Sequence, residues 1–190
     1  MTSGPGRELR AATIMADMTA TSEHPRMLQV GDPAPAFNLA SDGGRSIDSS
    51  ALAGRRYVLF FYPKDATPGC TREVCAFRDD MPGFISLGVP VFGVSADRVP
   101  AHDRFVKKHG LNFPLLSDPD HGLLQAYGVW VEKSLYGRKY FGIHRSSFVV
   151  GADGRIEKTW DKVKPDTHAA EVLDWLAQHA PAAKKTARRR

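Results

Sequence analysis

Cysteine is scarce in this chain. Two cysteines occur among 190 residues, at positions 70 and 75. Small secreted scaffolds that depend on disulfides carry a much denser set, and a chain of this length can bury a core without covalent cross-links. The sequence therefore excludes a disulfide-built scaffold, and the two cysteines need another explanation.

Long apolar runs are also absent. The longest purely apolar and aromatic run covers residues 57–62, whereas a membrane-spanning helix needs about 20 such residues. Residues 1–26 contain one short apolar stretch, at 11–16, close to acidic residues, which does not fit a secretory signal or a transit peptide. We therefore predict no membrane span, a cytoplasmic location and a disordered N-terminal extension over residues 1–26.

The net charge of +5 comes from one end of the chain. The last seven residues carry five positive charges, and subtracting these from +5 leaves residues 1–183 with no net charge. We expect residues 181–190 to form a solvated, disordered basic tail and one domain to occupy residues 27–180. Nucleic-acid binding through the tail remains an alternative, but the domain lacks the overall basic charge that would support it.

Strand and helix patterns alternate along this domain. Residues 57–61 form a continuous apolar run, typical of a strand covered on both faces. Thr67 and Pro68 are residues that begin helices, and Pro82-Gly83 predicts a break or kink after about Asp80. The other predicted elements are a hairpin over 37–39 and 46–48, strands at 89–95 and 112–116, helices at 100–109, 120–127 and 169–177, and a hairpin over 146–150 and 155–160. This order predicts an α/β fold, with a mixed central sheet and helices on both faces.

Cys70 occupies about the third position of the helix that starts beyond the strand at 57–61. A thiolate there lies near unpaired backbone N–H groups and the positive end of the helix dipole. Lowering the pKa of a thiol by two units takes about 2.7 kcal/mol, and a helix terminus supplies only about 0.3–1 kcal/mol. A reactive Cys70 therefore needs a further cation or donor, for which Lys64, Arg72 and the Thr67 hydroxyl are the local candidates. The alternative is a small buried apolar residue without chemistry.

The second cysteine lies on the same predicted helix. Five residues in an ideal helix separate the Cα atoms of Cys70 and Cys75 by about 8.6 Å, beyond the roughly 7 Å limit for a disulfide. If the two residues form a bond, the first turns of the helix must unwind.

The spacing of Pro63, Thr67 and Cys70 resembles the active-site signature of the peroxiredoxins. The further Cys75 resembles the subfamily called bacterioferritin comigratory protein, or peroxiredoxin Q. Segments at 127–130, 132–140 and 142–150 resemble the second half of the same subfamily, so the similarity covers roughly residues 28–180. The resemblance implies a thioredoxin-like fold.

The resemblance also implies a role for each matching residue. Cys70 matches the peroxidatic cysteine, which becomes a sulfenic acid, and Cys75 matches the resolving cysteine, which then forms an intramolecular disulfide. Thr67 matches the hydroxyl that hydrogen-bonds the thiolate and the peroxide, and Pro63 matches the residue that shields the pocket. Arg145 matches the arginine that stabilises the thiolate and would supply the missing cation.

The implied activity is reduction of hydrogen peroxide and organic hydroperoxides, with thioredoxin or a similar dithiol protein as reductant. No metal, haem or flavin is implied, and we expect a monomer. A thioredoxin-like disulfide reductase is an alternative, although that chemistry usually uses two cysteines separated by two residues rather than four. The seven histidines show no paired ligand spacing with the cysteines. Surface positions are expected for His102 and His109.

Overall fold

A computed structural model describes residues 26–180. Almost all of the predicted N-terminal extension and the whole basic tail lie outside these residues. The strands are β1 (Asn38–Ser41), β2 (Arg45–Asp48), β3 (Tyr57–Phe61), β4 (Val91–Ser95), β5 (Leu115–Ser117), β6 (Trp130–Leu135), β7 (Arg138–Ile143), β8 (Ser146–Val150) and β9 (Ile156–Trp160). The helices are α1 (Pro68–Ser86), α2 (Val99–His109), α3 (Gly122–Ala126) and α4 (His168–Gln178), and two short 3-10 helices cover Asp42–Gly44 and Ser49–Leu52.

Seven strands form one mixed sheet in the order β2-β1-β5-β4-β3-β8-β9. The central β3 pairs parallel with β4 and antiparallel with β8. All five residues of β3 are buried, because alternate side chains enter two different core clusters. Val58 and Phe60 pack with residues of α1, α2 and α4, whereas Leu59 and Phe61 pack with residues of α3. The predicted α/β fold with helices on both faces is confirmed.

Helix α1 differs from its predicted length. The sequence predicts a break at Pro82, but the helix continues through this proline to Ser86. A proline inside a helix leaves the carbonyl four residues earlier without its usual donor. That carbonyl belongs to Arg78, and it accepts a hydrogen bond from Asn112 Nδ2 at 3.2 Å. A tertiary contact thus replaces the lost helical bond.

The hairpin of β6 and β7 was not predicted. It forms a separate two-stranded sheet, and much of its surface faces solvent, so it lacks the alternation of apolar and polar residues that marks a half-buried strand. Its turn is Tyr136-Gly137, with both residues at positive φ, instead of the Asn-Gly or Asp-Gly pair that usually signals such a turn. The two short 3-10 helices were not predicted either. Other differences concern the ends of strands, since β4 begins at Val91 and β5 covers Leu115–Ser117.

Candidate active site

The N-terminus of α1 carries the first candidate residue. Strand β3 ends at Phe61, a loop covers residues 62–67, and α1 begins at Pro68. Cys70 is therefore the third residue of the helix, as predicted, and its side chain is only 1% exposed. It lies near the first unpaired backbone N–H groups of the helix, at the positive end of the helix dipole.

Arg145 places a cation beside Cys70. It directly precedes β8, and the pairing of Ser146 with Phe61 places it beside the loop that follows β3. Its Nη2 donates a hydrogen bond to Cys70 Sγ at 3.1 Å. The local candidate Arg72 instead pairs with Asp166 at 2.7 Å. The sheet register thus brings together two residues that lie 75 positions apart in the chain.

Glu73 completes this cluster and was not identified from the sequence. It lies one helical turn after Cys70, is fully buried, and forms an ion pair through Oε2 with Arg145 Nη1. Burial raises the pKa of this carboxyl to about 7, while Arg145 opposes the rise. Its Oε1 has no hydrogen-bond partner among residues 26–180. The spacing of three residues from Cys70 on one helix face is the signal that predicts this proximity.

Lys133 of β6 is a second residue near the thiol that was not predicted from the sequence. Its ammonium group donates a hydrogen bond to the Ile143 carbonyl at 2.6 Å. Burial and the nearby Arg145 charge lower its pKa, whereas Cys70 raises it. The hairpin therefore contributes positive charge to the surroundings of the thiol.

Cys75 lies on the same uninterrupted helix as Cys70 and is partly buried. Both cysteines are free. The ideal helical geometry that separates their Cα atoms by about 8.6 Å applies to this helix. A bond between them requires α1 to open.

Pro63 and Thr67 both precede Cys70, in the loop that joins β3 to α1. Thr67 immediately precedes α1 in extended conformation, and its hydroxyl donates to the Lys64 carbonyl at 3.1 Å, so it does not cap the helix through its side chain. Pro63 is exposed in the loop after β3. Their roles toward the thiolate and the peroxide stay predictions.

The expected surface position of His102 is wrong. Its ring is fully buried, and its Nδ1 lies 2.8 Å from Asp65 Oδ2. The spacing of histidines on the helix does not reveal Asp65, which lies 37 positions earlier in the chain. His109 is partly buried, with its ring against Phe105.

Within residues 26–180, no group of three or more His, Cys, Asp or Glu residues is arranged to hold a metal ion. In the same part of the chain, no helix is both long and apolar enough to cross a membrane.

The AhpC/TSA family profile matches residues 30–159. The chain belongs to this family. The peroxiredoxin Bcp of Escherichia coli (strain K12) is 45% identical over 153 residues, which cover 80% of this chain and 98% of that protein. The peroxiredoxin Bcp of Bacillus subtilis (strain 168) is 44% identical over 149 residues, covering 78% of this chain and 95% of that protein.

Solved structures agree with these relatives. A bacterioferritin comigratory protein of Xanthomonas campestris, studied for alkyl peroxide reduction, matches with a TM-score of 0.73 and 42% identity, covering 76% of this chain and 92% of that chain. A peroxiredoxin Q of Xylella fastidiosa matches with a TM-score of 0.78 and 38% identity, covering 83% of this chain and 100% of that chain. The resemblance to this peroxiredoxin subfamily is confirmed, and the chain is a thiol-dependent peroxidase.

Proposed function

We propose that Cys70 is the peroxidatic residue. Its thiolate attacks the terminal oxygen of a hydroperoxide, a sulfur–oxygen bond forms, and the oxygen–oxygen bond breaks. The products are a sulfenic acid on Cys70 and an alkoxide or hydroxide, which takes a proton to leave as an alcohol or water. The observation that carries this proposal is the hydrogen bond from Arg145 to Cys70 Sγ at 3.1 Å. The guanidinium stabilises negative charge on sulfur before the reaction and on oxygen during it.

We further propose that Cys75 resolves the sulfenic acid. Its thiolate attacks Cys70 Sγ, a disulfide forms within one chain, and hydroxide leaves and is protonated to water. Because the helix holds the two residues apart, this step requires the first turns of α1 to unwind. A dithiol reductant of the thioredoxin type then transfers two electrons and two protons and restores both thiols.

Two serine variants and a mass measurement test these roles. Cys70→Ser abolishes peroxide consumption, whereas Cys75→Ser keeps the first oxidation and loses efficient recycling. After one equivalent of peroxide, the intact mass of the wild-type chain falls by the mass of two hydrogens. In Cys75→Ser, the mass increases by one oxygen. Multiple turnovers by Cys70→Ser would contradict the assignment of Cys70, and oxygen addition without disulfide in the wild type would contradict that of Cys75.

The remaining proposals concern partners and location. A monomer is sufficient for the proposed disulfide, because both cysteines lie on one helix of one chain. A cytoplasmic location fits a cycle that needs a reducing dithiol pool. Peroxide turnover with thioredoxin and its reductase, compared with turnover with glutathione, tests which reductant supports the cycle. Light scattering of the reduced and oxidised protein tests the monomer, and a stable dimer in both states would contradict it.

A further inference from the structure

The loop before α1 contains a residue in an unfavourable conformation. Ala66 has a φ of +58°, which lies in the left-handed region. For a residue with a Cβ atom, this conformation has a higher free energy than the right-handed one. This loop leads directly into the helix that carries Cys70. Contacts with the rest of the fold must therefore hold it in place.

Those contacts converge on Asp65. Its Oδ1 accepts from the Tyr62 hydroxyl at 2.7 Å, and its backbone N–H donates to Asp97 Oδ2 at 2.8 Å. Its Oδ2 lies 2.8 Å from His102 Nδ1. In the described part of the chain, the hydrogen bonds that join residues 63–67 to Tyr62, to Asp97 in the loop after β4 and to His102 on α2 all involve this one residue.

His102 connects this loop to α2. Its ring is fully buried, and its Nε2 lies 3.3 Å from the Leu116 carbonyl on β5. The two ring nitrogens therefore place His102 between the Asp65 carboxyl and β5. Removing one member of such a buried pair leaves the other without its partner, which is costly.

Helix α2 also holds the far side of the reactive segment. Its last residue, His109, accepts a hydrogen bond from Arg78 Nη1 through its carbonyl at 2.7 Å. One residue earlier, the Phe77 ring stacks on Phe60 with ring centroids 4.3 Å apart. The turns that contain Cys70 and Cys75 therefore lie between two fixed points, the Asp65–His102 pair and the contacts of Phe77 and Arg78.

We propose that the Asp65–His102 pair is a positioning element, which sets the balance between an intact α1, where Cys70 reacts with peroxide, and an unwound α1, where Cys70 and Cys75 bond. This inference rests on the proposed function. The intact helix keeps Cys70 beside Arg145, so a firmly held loop favours oxidation. A loosened loop makes unwinding easier, so it favours disulfide formation.

Three variants of α2 test the proposal. His102→Leu removes both ring contacts, whereas His102→Asn keeps an N–H donor in the place of Nδ1 and restores the contact with Asp65. Phe105→Leu is the matched control, because Phe105 lies one turn later on α2 and packs in the core without touching the loop's hydrogen bonds. Stopped-flow fluorescence and quenched mass spectrometry measure the rate of Cys70 oxidation and the rate of disulfide formation separately.

We expect His102→Leu to oxidise about tenfold more slowly and to form the disulfide about threefold faster, within the range that perturbing a coupled element produces. His102→Asn returns both rates toward the wild type, and Phe105→Leu leaves both near it. If His102→Leu does not fold, Asp65→Asn, which weakens the same pair, replaces it with the same expected pair of changes. Rates that change in the same direction, a change in only one rate, or no change would overturn the inference. Wild-type protein that consumes no peroxide would instead contradict the proposed function.

Discussion

Replacing Glu73 by glutamine changes the charge of the buried carboxyl but preserves its size. In the folded protein, burial raises the pKa of Glu73 to about 7 from an ordinary value near 4.5. The folded state therefore binds a proton more tightly than the unfolded state does. The stabilisation from this proton is complete below about pH 4.5 and is lost as the pH rises through about 7.

The size of this loss of stability follows from the rise in the pKa of Glu73. At about 1.4 kcal/mol per pKa unit, the rise corresponds to about 3 kcal/mol of unfolding free energy. Glutamine at this position does not titrate, so Glu73→Gln lacks this loss. We expect the unfolding free energy of the variant, relative to the wild type, to increase by about 3 kcal/mol between pH 4.5 and pH 8.

Urea denaturation followed by circular dichroism, with both cysteines reduced, measures the unfolding free energies of the variant and the wild type at several pH values. Glu132→Gln on β6 is the matched control, because this exposed carboxylate pairs with Lys139 at the surface and such pairs contribute little. A difference in unfolding free energy between Glu73→Gln and the wild type that stays constant with pH would refute the raised pKa of Glu73. A difference that becomes unfavourable to the variant as pH rises would show that the Arg145 ion pair outweighs burial.

Two further substitutions test other parts of the structure. We expect Arg145→Lys to slow Cys70 oxidation, measured by stopped-flow fluorescence, by about tenfold to a hundredfold. The reason is that a hydrogen bond to a charged group contributes about 1.5–3 kcal/mol. An unchanged rate would remove Arg145 from the mechanism. Gly93→Ala lowers the free energy of unfolding, measured by urea denaturation, by about 1–3 kcal/mol, since a Cβ atom on β4 would lie 2.7 Å from Leu115 Cδ2 and 2.8 Å from Phe60 Cζ. Wild-type stability would contradict this packing.

The sequence was sufficient to predict the elements whose signals are local. The apolar run of β3 and the Thr67-Pro68 start of α1 agree with the structure within a residue. Pro82 was misleading, because its effect depends on whether the freed Arg78 carbonyl finds another donor. Asn112 provides that donor from a distant loop, and a local pattern contains no information about it.

The sequence by itself determined where the candidate residues lie: two cysteines on one helix, at a spacing that an intact helix cannot bridge, with the first at the positive end of its dipole. The tertiary structure decided what surrounds them. The pairing of β3 with β8 brings Arg145 to Cys70, the helix face brings Glu73 to Arg145, and the packing of α2 brings His102 to Asp65. These contacts join residues that are far apart in the chain or meet only in the buried interior, so the sheet register and core packing create them.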